Sequence, residues 1–179
     1  MDFLAISRKK PELGDVFTFK HKYLGWGYGK VIMIGAMKAM VSPPGVSTNR
    51  DSKKAEDFLV YIYNHFTKEL EKDPKVDKND LAIPPQFINR QGWLKGFFKT
   101  IQKKPLKKDD MLEVHCFKSM TGPKADQYVY TDENRNVLPM KIEPCGFYAM
   151  GHYKHIDYEL SKKFNLPLSD FSKKVENEK

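Results

Sequence analysis

GDVFTFKHKYLGWGYGKVIMIG, Gly14 to Gly35, is the stretch whose reading decides the fold. Its first arm alternates Phe17, Phe19 and His21 with Val16, Thr18, Lys20 and Lys22, and a period of two belongs to a pleated strand. Leu24-Gly25 falls at a tip, and Trp26 to Ile34 returns as the second arm of a hairpin. On the return, Trp26, Tyr28, Lys30, Ile32 and Ile34 share one face, while Gly27, Gly29, Val31 and Met33 share the other. Glycine weakens a strand interior, so two of them two residues apart need a reason. Sharp coiling of the sheet, or close approach of a backbone or ring, supplies one. The competing reading is a groove floored by glycine and walled by Trp26 and Tyr28.

Further along, Ser42 to Lys54 (SPPGVSTNRDSKK) reads as a turn-rich loop. Phe58 to Phe66 (FLVYIYNHF) suits a buried strand, although its period also admits a helix beginning near Ala55. TKELEKDPKVDKND is an exposed connection. Leu81 to Asn89 (LAIPPQFIN) is extended, because each proline fixes its own φ and pushes its predecessor out of the helical region. Gly92 marks a turn before a strand around Lys95 to Ile101, and Lys103 to Asp110 turns about Pro105. Met111 to Phe117 is a further strand with Leu112, Val114 and Cys116 on one face. Gln127 to Thr131 and Lys141 to Tyr148 complete the strands, joined by the turn DENRN. One segment is helical: in YKHIDYELSKKFN, Ile156, Leu160 and Phe164 form one apolar stripe, which Pro167 ends. The pattern predicts a mainly β (α+β) fold, either a strongly coiled antiparallel sheet or a small SH3-like barrel, with one C-terminal helix. Residues 1–179 are read as a single domain, flexible at 1–10 and in the charged tail at 170–179.

With 40% hydrophobic and 13% aromatic residues the chain has the material for a packed core. No apolar run approaches the ~20 residues needed to span a bilayer. The start, MDFLAISRKKPELGD, is not a secretory signal, so a cytoplasmic protein is expected. Cys116 and Cys145 match no metal or redox spacing and are read as reduced core thiols. The net charge of +8 comes almost wholly from lysine, a hydrated point charge suited to steering toward an acidic partner rather than to reading bases.

Motifs for chemistry are missing. There is no P-loop, nucleophile elbow, HExxH, EF-hand or dinucleotide fingerprint, and GWGYG lies in a hairpin rather than at a helix start. His152 and His155 share a helix face near Asp157, but a metal site would need a third ligand from His21, His65 or His115. His115 and Cys116 are strand neighbours and point to opposite faces, which argues against a nucleophile and its base. No catalytic residue, cofactor or metal is assigned. An enzyme would require His115, Cys116, His152 and His155 to converge in one pocket. Lys95, Lys99, Lys103, Lys104, Lys107 and Lys108, interleaved with Trp93, Phe97 and Phe98, raise a second option: a basic β-barrel that binds single-stranded nucleic acid. No recognised nucleic-acid motif accompanies that charge, and lysine is also a guard on edge strands.

Two stretches together resemble the immunity protein 26 family. One is the Gly14-Asp15 that opens the hairpin, with Tyr28-Gly29-Lys30-Val31 on its return; the other is IPPQFINRQGWLKGFFKTI, Ile83 to Ile101, a proline-led extended piece followed by Gly-Trp. With FLVYIYNHF between them the resemblance covers about Gly14 to Ile101, and more loosely Gly146 to Leu166. It implies a cytoplasmic, bacterial, non-catalytic antitoxin of a polymorphic or contact-dependent inhibition system. Such a protein binds a cognate toxin domain stoichiometrically and protects producing and sibling cells. On this reading the toxin is acidic where engaged, neither nucleic acid nor membrane is the partner, and Trp26, Tyr28, Trp93, Lys95 and Lys99 are the contact residues. Both tryptophans fit core packing equally well.

Overall fold

The structure, a computed structural model, describes residues 1–35, 37, 57–120 and 128–169. The loop expected at Ser42 to Lys54 and the charged tail beyond Asp170 lie outside the described residues.

The hairpin forms as read. β1 (Val16–His21) pairs antiparallel with β2 (Gly25–Ile34), placing Phe17 opposite Gly29 and Phe19 opposite Gly27. The tip is one residue tighter than expected, because Gly25 already belongs to β2 and adopts φ +84°. That conformation strains any residue with a side chain. His21 closes the turn, its Nδ1 accepting from the backbone N–H groups of Tyr23 and Leu24 at 3.3 Å.

The paired glycines now have a cause. A Cβ at Gly27 would lie 2.4 Å from the Phe19 ring, and one at Gly29 would lie 2.4 Å from the Phe17 ring and 2.7 Å from the Tyr61 carbonyl oxygen. Each phenylalanine lies across the glycine opposite it. From there Phe17 packs edge-on against Trp93 with ring centroids 5.0 Å apart, and Phe98 is equally close.

β2 pairs with β3 (Asp57–Thr67), and β3 with β4 (Leu81–Asn89), both antiparallel. Phe58 to Phe66 is therefore strand, not helix. Its alternation explains why it reads as apolar throughout: Phe58, Val60 and Ile62 enter one core cluster, Leu59, Tyr61 and Tyr63 the other. The β3–β4 register shifts between Val60↔Gln86 and Ile62↔Ile83, where Pro84 and Pro85 offer no N–H to the ladder. A similar shift between Val31 and Met33 reverses the end of β2. Met33 and Ile34 thus exchange the faces that strict alternation assigns them, Ile34 packing with Val31 and Met33 with Ile32.

The strand expected around Lys95 to Ile101 begins later. Gln91–Leu94 makes one helical turn, α1, and only Lys99–Gln102 forms β5, the edge strand beside β1. The Met111 to Phe117 strand is likewise displaced. Leu112 N–H donates to the Tyr61 hydroxyl at 3.0 Å and Val114 is exposed, so pairing starts only at β6 (Cys116–Met120). β6 pairs antiparallel with β7 (Tyr128–Thr131) and parallel with β8 (Cys145–Phe147). The short β9 (Met150–Gly151) lies parallel to β4. The helix α2 (Tyr153–Lys163) follows, with the His152 ring accepting from Lys154 N–H at its start.

Three layers result. The large sheet, ordered β5-β1-β2-β3-β4-β9, packs one face against Trp93 and α2 through Tyr153, Ile156 and Leu160. Its other face packs against the small sheet, β7-β6-β8, through Phe117 and the neighbouring Tyr148. Neither sheet closes into a barrel, and the two parallel pairings make both sheets mixed. Near the chain start, Asp2 N–H donates to Lys20 O, Leu4 N–H to Gly96 O and Ser7 N–H to Trp93 O. The Met1 ammonium group is 2.9 Å from Asp157 of α2.

Overpacking of this kind costs about 1–3 kcal/mol, so Gly27→Ala should destabilise by that amount in denaturant unfolding. The same change beside Phe19→Leu should cost measurably less, because the obstructing ring is gone. Gly29→Ala should stay costly beside Phe17→Leu, since the Tyr61 carbonyl cannot withdraw.

Candidate functional site

On β1, β2 and their neighbours most aromatic side chains are used up inside the protein. Tyr28 is 0% exposed and Trp93 1% exposed. The Tyr28 hydroxyl is 2.9 Å from Thr67 Oγ1 and accepts from Glu71 N–H at 2.8 Å, while Trp93 lies among Phe17, Phe58 and Phe98. Neither presents a surface to a partner. Trp26 is half-buried under the Lys20 ammonium, 5.6 Å from the ring centroid. Lys95 and Lys99 are exposed, so of the five expected contact residues these two lysines and part of Trp26 are reachable.

The Lys95 to Lys108 segment does not offer a stacking platform. Phe98 is buried, and Phe97 stacks on Tyr153 at 4.6 Å with the rings 14° from parallel. Lys103 and Lys104 each lie 2.7 Å from a carboxylate, Glu12 and Asp73 respectively. A strand-binding groove needs open ring faces beside its charge, and here the rings point inward.

The histidines have structural partners. His115 Nε2 is 2.6 Å from the Tyr61 hydroxyl, and its Nδ1 is 3.0 Å from Glu133 Oε2. A neutral imidazole protonated at Nδ1 satisfies both contacts, accepting from Tyr61 and donating to Glu133. The His115 hydrogen bond holds the Glu133 carboxyl below its ordinary range, and burial pushes the Tyr61 phenol up to about 12. Both ring nitrogens of the buried His115 thus have partners within the protein. His152 and His155 lie against one another, ring centroids 4.6 Å apart. Among the described residues no three side chains are placed to hold a metal ion.

The small sheet is different, because it has two unlike faces. Phe117, Ser119 and Thr131 point at the large sheet and are buried. The alternating positions point away: Lys118 and Met120 on β6, Tyr128 and Tyr130 on β7, Phe147 on β8. Met120 and Phe147 are each 59% exposed, and the Lys118 ammonium lies 3.6 Å from the centre of the Tyr128 ring. The chain between β7 and β8 turns back along this sheet. Leu138 N–H donates to Tyr130 O, and the exposed Val137 and Met140 are carried in the same loop. Exposed large apolar side chains thus concentrate between Met120 and Met150. A patch of methionine, aromatic rings and one lysine has the composition of the centre of a protein interface. It offers area and shape.

Sequence reading missed this surface. Alternation in QYVYT and around Lys118 and Met120 is visible, but both faces of these strands carry apolar residues. Only the packing of Phe117 decides which face points out.

A family model described as immunity protein 26 matches residues 12–127, well over half of the chain. No curated protein matches, and no solved structure does. Among the described residues no helix is long and apolar enough to cross a membrane.

The two faces should separate in denaturant unfolding. Phe147→Ser and Met120→Ser should each shift stability by no more than about 0.5 kcal/mol, as exposed positions do. Phe117→Ala, on the other side of the same sheet, should cost about 3–5 kcal/mol.

Proposed function

The chain belongs to the immunity protein 26 family, and from that premise we propose that it binds a cognate toxin domain and covers the surface through which that toxin acts. It protects the bacterial cell that makes it, and that cell's siblings, from a toxin of a polymorphic or contact-dependent system. It works in the cytoplasm, by stoichiometric occlusion and without turnover.

The observation that carries this reading is the outward face of the small sheet. Interfaces draw their energy from a few buried aromatic or aliphatic anchors ringed by polar residues. Phe147, Met120 and Tyr128 supply anchors held on rigid strands, with Lys118 among them. Rigid anchors bind tightly because little ordering remains to be done on contact. The family match ends at residue 127, so most of this face comes from chain beyond the matched span. On this reading the matched part builds the scaffold and the later strands carry partner choice.

The net charge of +8 supports an acidic partner. The toxin is acidic where it is engaged, and the lysines raise the rate of encounter more than the final affinity. Lys95 and Lys99, exposed at α1 and β5, belong to that steering field.

The test is co-expression with the toxin domain sought in the reading frames that neighbour this chain's own. The wild-type chain should restore growth and bind the purified domain one to one. Phe147→Asp and Met120→Asp should each weaken binding by at least about 30-fold, the ~2 kcal/mol of a hot spot, with the thermal transition unchanged. Lys95→Glu with Lys99→Glu should slow association and flatten its salt dependence, leaving dissociation nearly unaltered. If the apolar-face variants bind like wild type while the lysine variants abolish binding, the docking face is at the β5 edge instead.

A further inference from the structure

We propose that Cys116 and Cys145 form a dithiol modification site, which a hydroperoxide converts into an intramolecular disulfide across β6 and β8. The inference does not depend on the docking face. The two residues lie 29 apart in the chain, too far for any spacing rule to join them. The parallel pairing of β6 with β8 nevertheless sets them directly opposite one another. Both thiols are free, and their sulfurs are 3.2 Å apart.

Directly paired strands lie roughly 4.7–4.9 Å apart. That spacing falls inside the roughly 4.4–6.8 Å range of Cα separations that disulfides tolerate. Closing the bond therefore takes rotation of two side chains and no rearrangement of the sheet. Access is unequal: Cys116 is fully buried, whereas Cys145 is half-buried. Ile142 N–H points at the Cys116 sulfur from 3.4 Å and can support negative charge there.

This asymmetry orders the chemistry. The Cys145 thiolate attacks one peroxide oxygen and the O–O bond breaks, giving a sulfenic acid and, for hydrogen peroxide, one hydroxide that takes a proton to become water. The Cys116 thiolate then attacks the Cys145 sulfur. The S–S bond forms, and the sulfenic oxygen leaves as hydroxide and is protonated to a second water. The two thiols lose two electrons and the peroxide gains them. Burial and the adjacent Cys116 push the Cys145 thiol up to about 12, so little thiolate is present at neutral pH. The reaction is accordingly slow there and accelerates as pH rises. The product fastens the three-residue β8, which carries Phe147, to the centre of the small sheet.

The experiment treats the folded full-length chain with hydrogen peroxide, blocks it with N-ethylmaleimide in denaturant, and weighs it intact. The expected product is a monomer lighter by two hydrogens that carries no maleimide. Its digest should contain one cross-linked pair of peptides bearing Cys116 and Cys145, and dithiothreitol should return two alkylatable thiols. The yield at fixed time should rise about tenfold per pH unit through the neutral range, as thiolate does. Cys145→Ala, at a half-buried position that puts little of the fold at risk, should remove the cross-link entirely. Two maleimide adducts after peroxide treatment would overturn the proposal. So would oxygen adducts on separate sulfurs without a cross-link, or a disulfide found only between two chains.

Discussion

The rings of Phe17 and Phe19 lie across the backbone of Gly29 and Gly27, and the large sheet is organised around those two contacts. A side chain at either glycine would occupy the space of the ring opposite it. With the space open, both rings fold flat over β2 and meet Trp93, Phe98 and Phe66. That packing brings α1 over the sheet and leaves room beside it for α2. Glycine's local cost to the strand is offset by an aromatic cluster that a fuller strand could not hold.

This arrangement divides the aromatic residues by purpose. Those of β1, β3 and the segment around α1 are spent on the core, which is why the Lys95 to Lys108 region carries charge without open rings. Those of the small sheet split between its faces. Phe117 and Tyr148 anchor it to Phe87 of the large sheet, while Tyr128 and Phe147 face outward. One layer thus supplies both the attachment and the displayed surface, and the anchors are held by the same ladder that fixes the core. His115, tied to Tyr61 and Glu133, is part of the packing beneath that layer.

Much of the fold is legible in the amino-acid order. The hairpin, the buried strand at Phe58 to Phe66, the extended prolines and the helical stripe of Ile156 and Leu160 follow from local period and backbone chemistry. The misreadings share a cause in tertiary contact. Lys95 to Phe98 looks like the start of a strand but curls back on α1, Phe97 and Phe98 N–H both donating to Gly92 O, and Leu112 is drawn out of a strand by the Tyr61 hydroxyl. The site was far less legible. Tyr28 and Trp93 have the chemistry of interface anchors and serve as core, whereas Met120 and Phe147 look like core and face outward. Side-chain type does not distinguish these cases. The distinction is made by which sheet covers which, a long-range fact that no window of sequence contains. The pairing of Cys116 with Cys145 is hidden for the same reason.

The displayed face carries Met120, and its methyl group gives the most direct test. Methionine methyl groups of the isotopically labelled chain can be followed by NMR while unlabelled toxin domain is added to saturation. The account predicts large shifts and broadening at Met120, on the outward face of β6, and none at Met37, which is buried. A saturated one-to-one complex in which Met120 keeps its free-state resonance would contradict it.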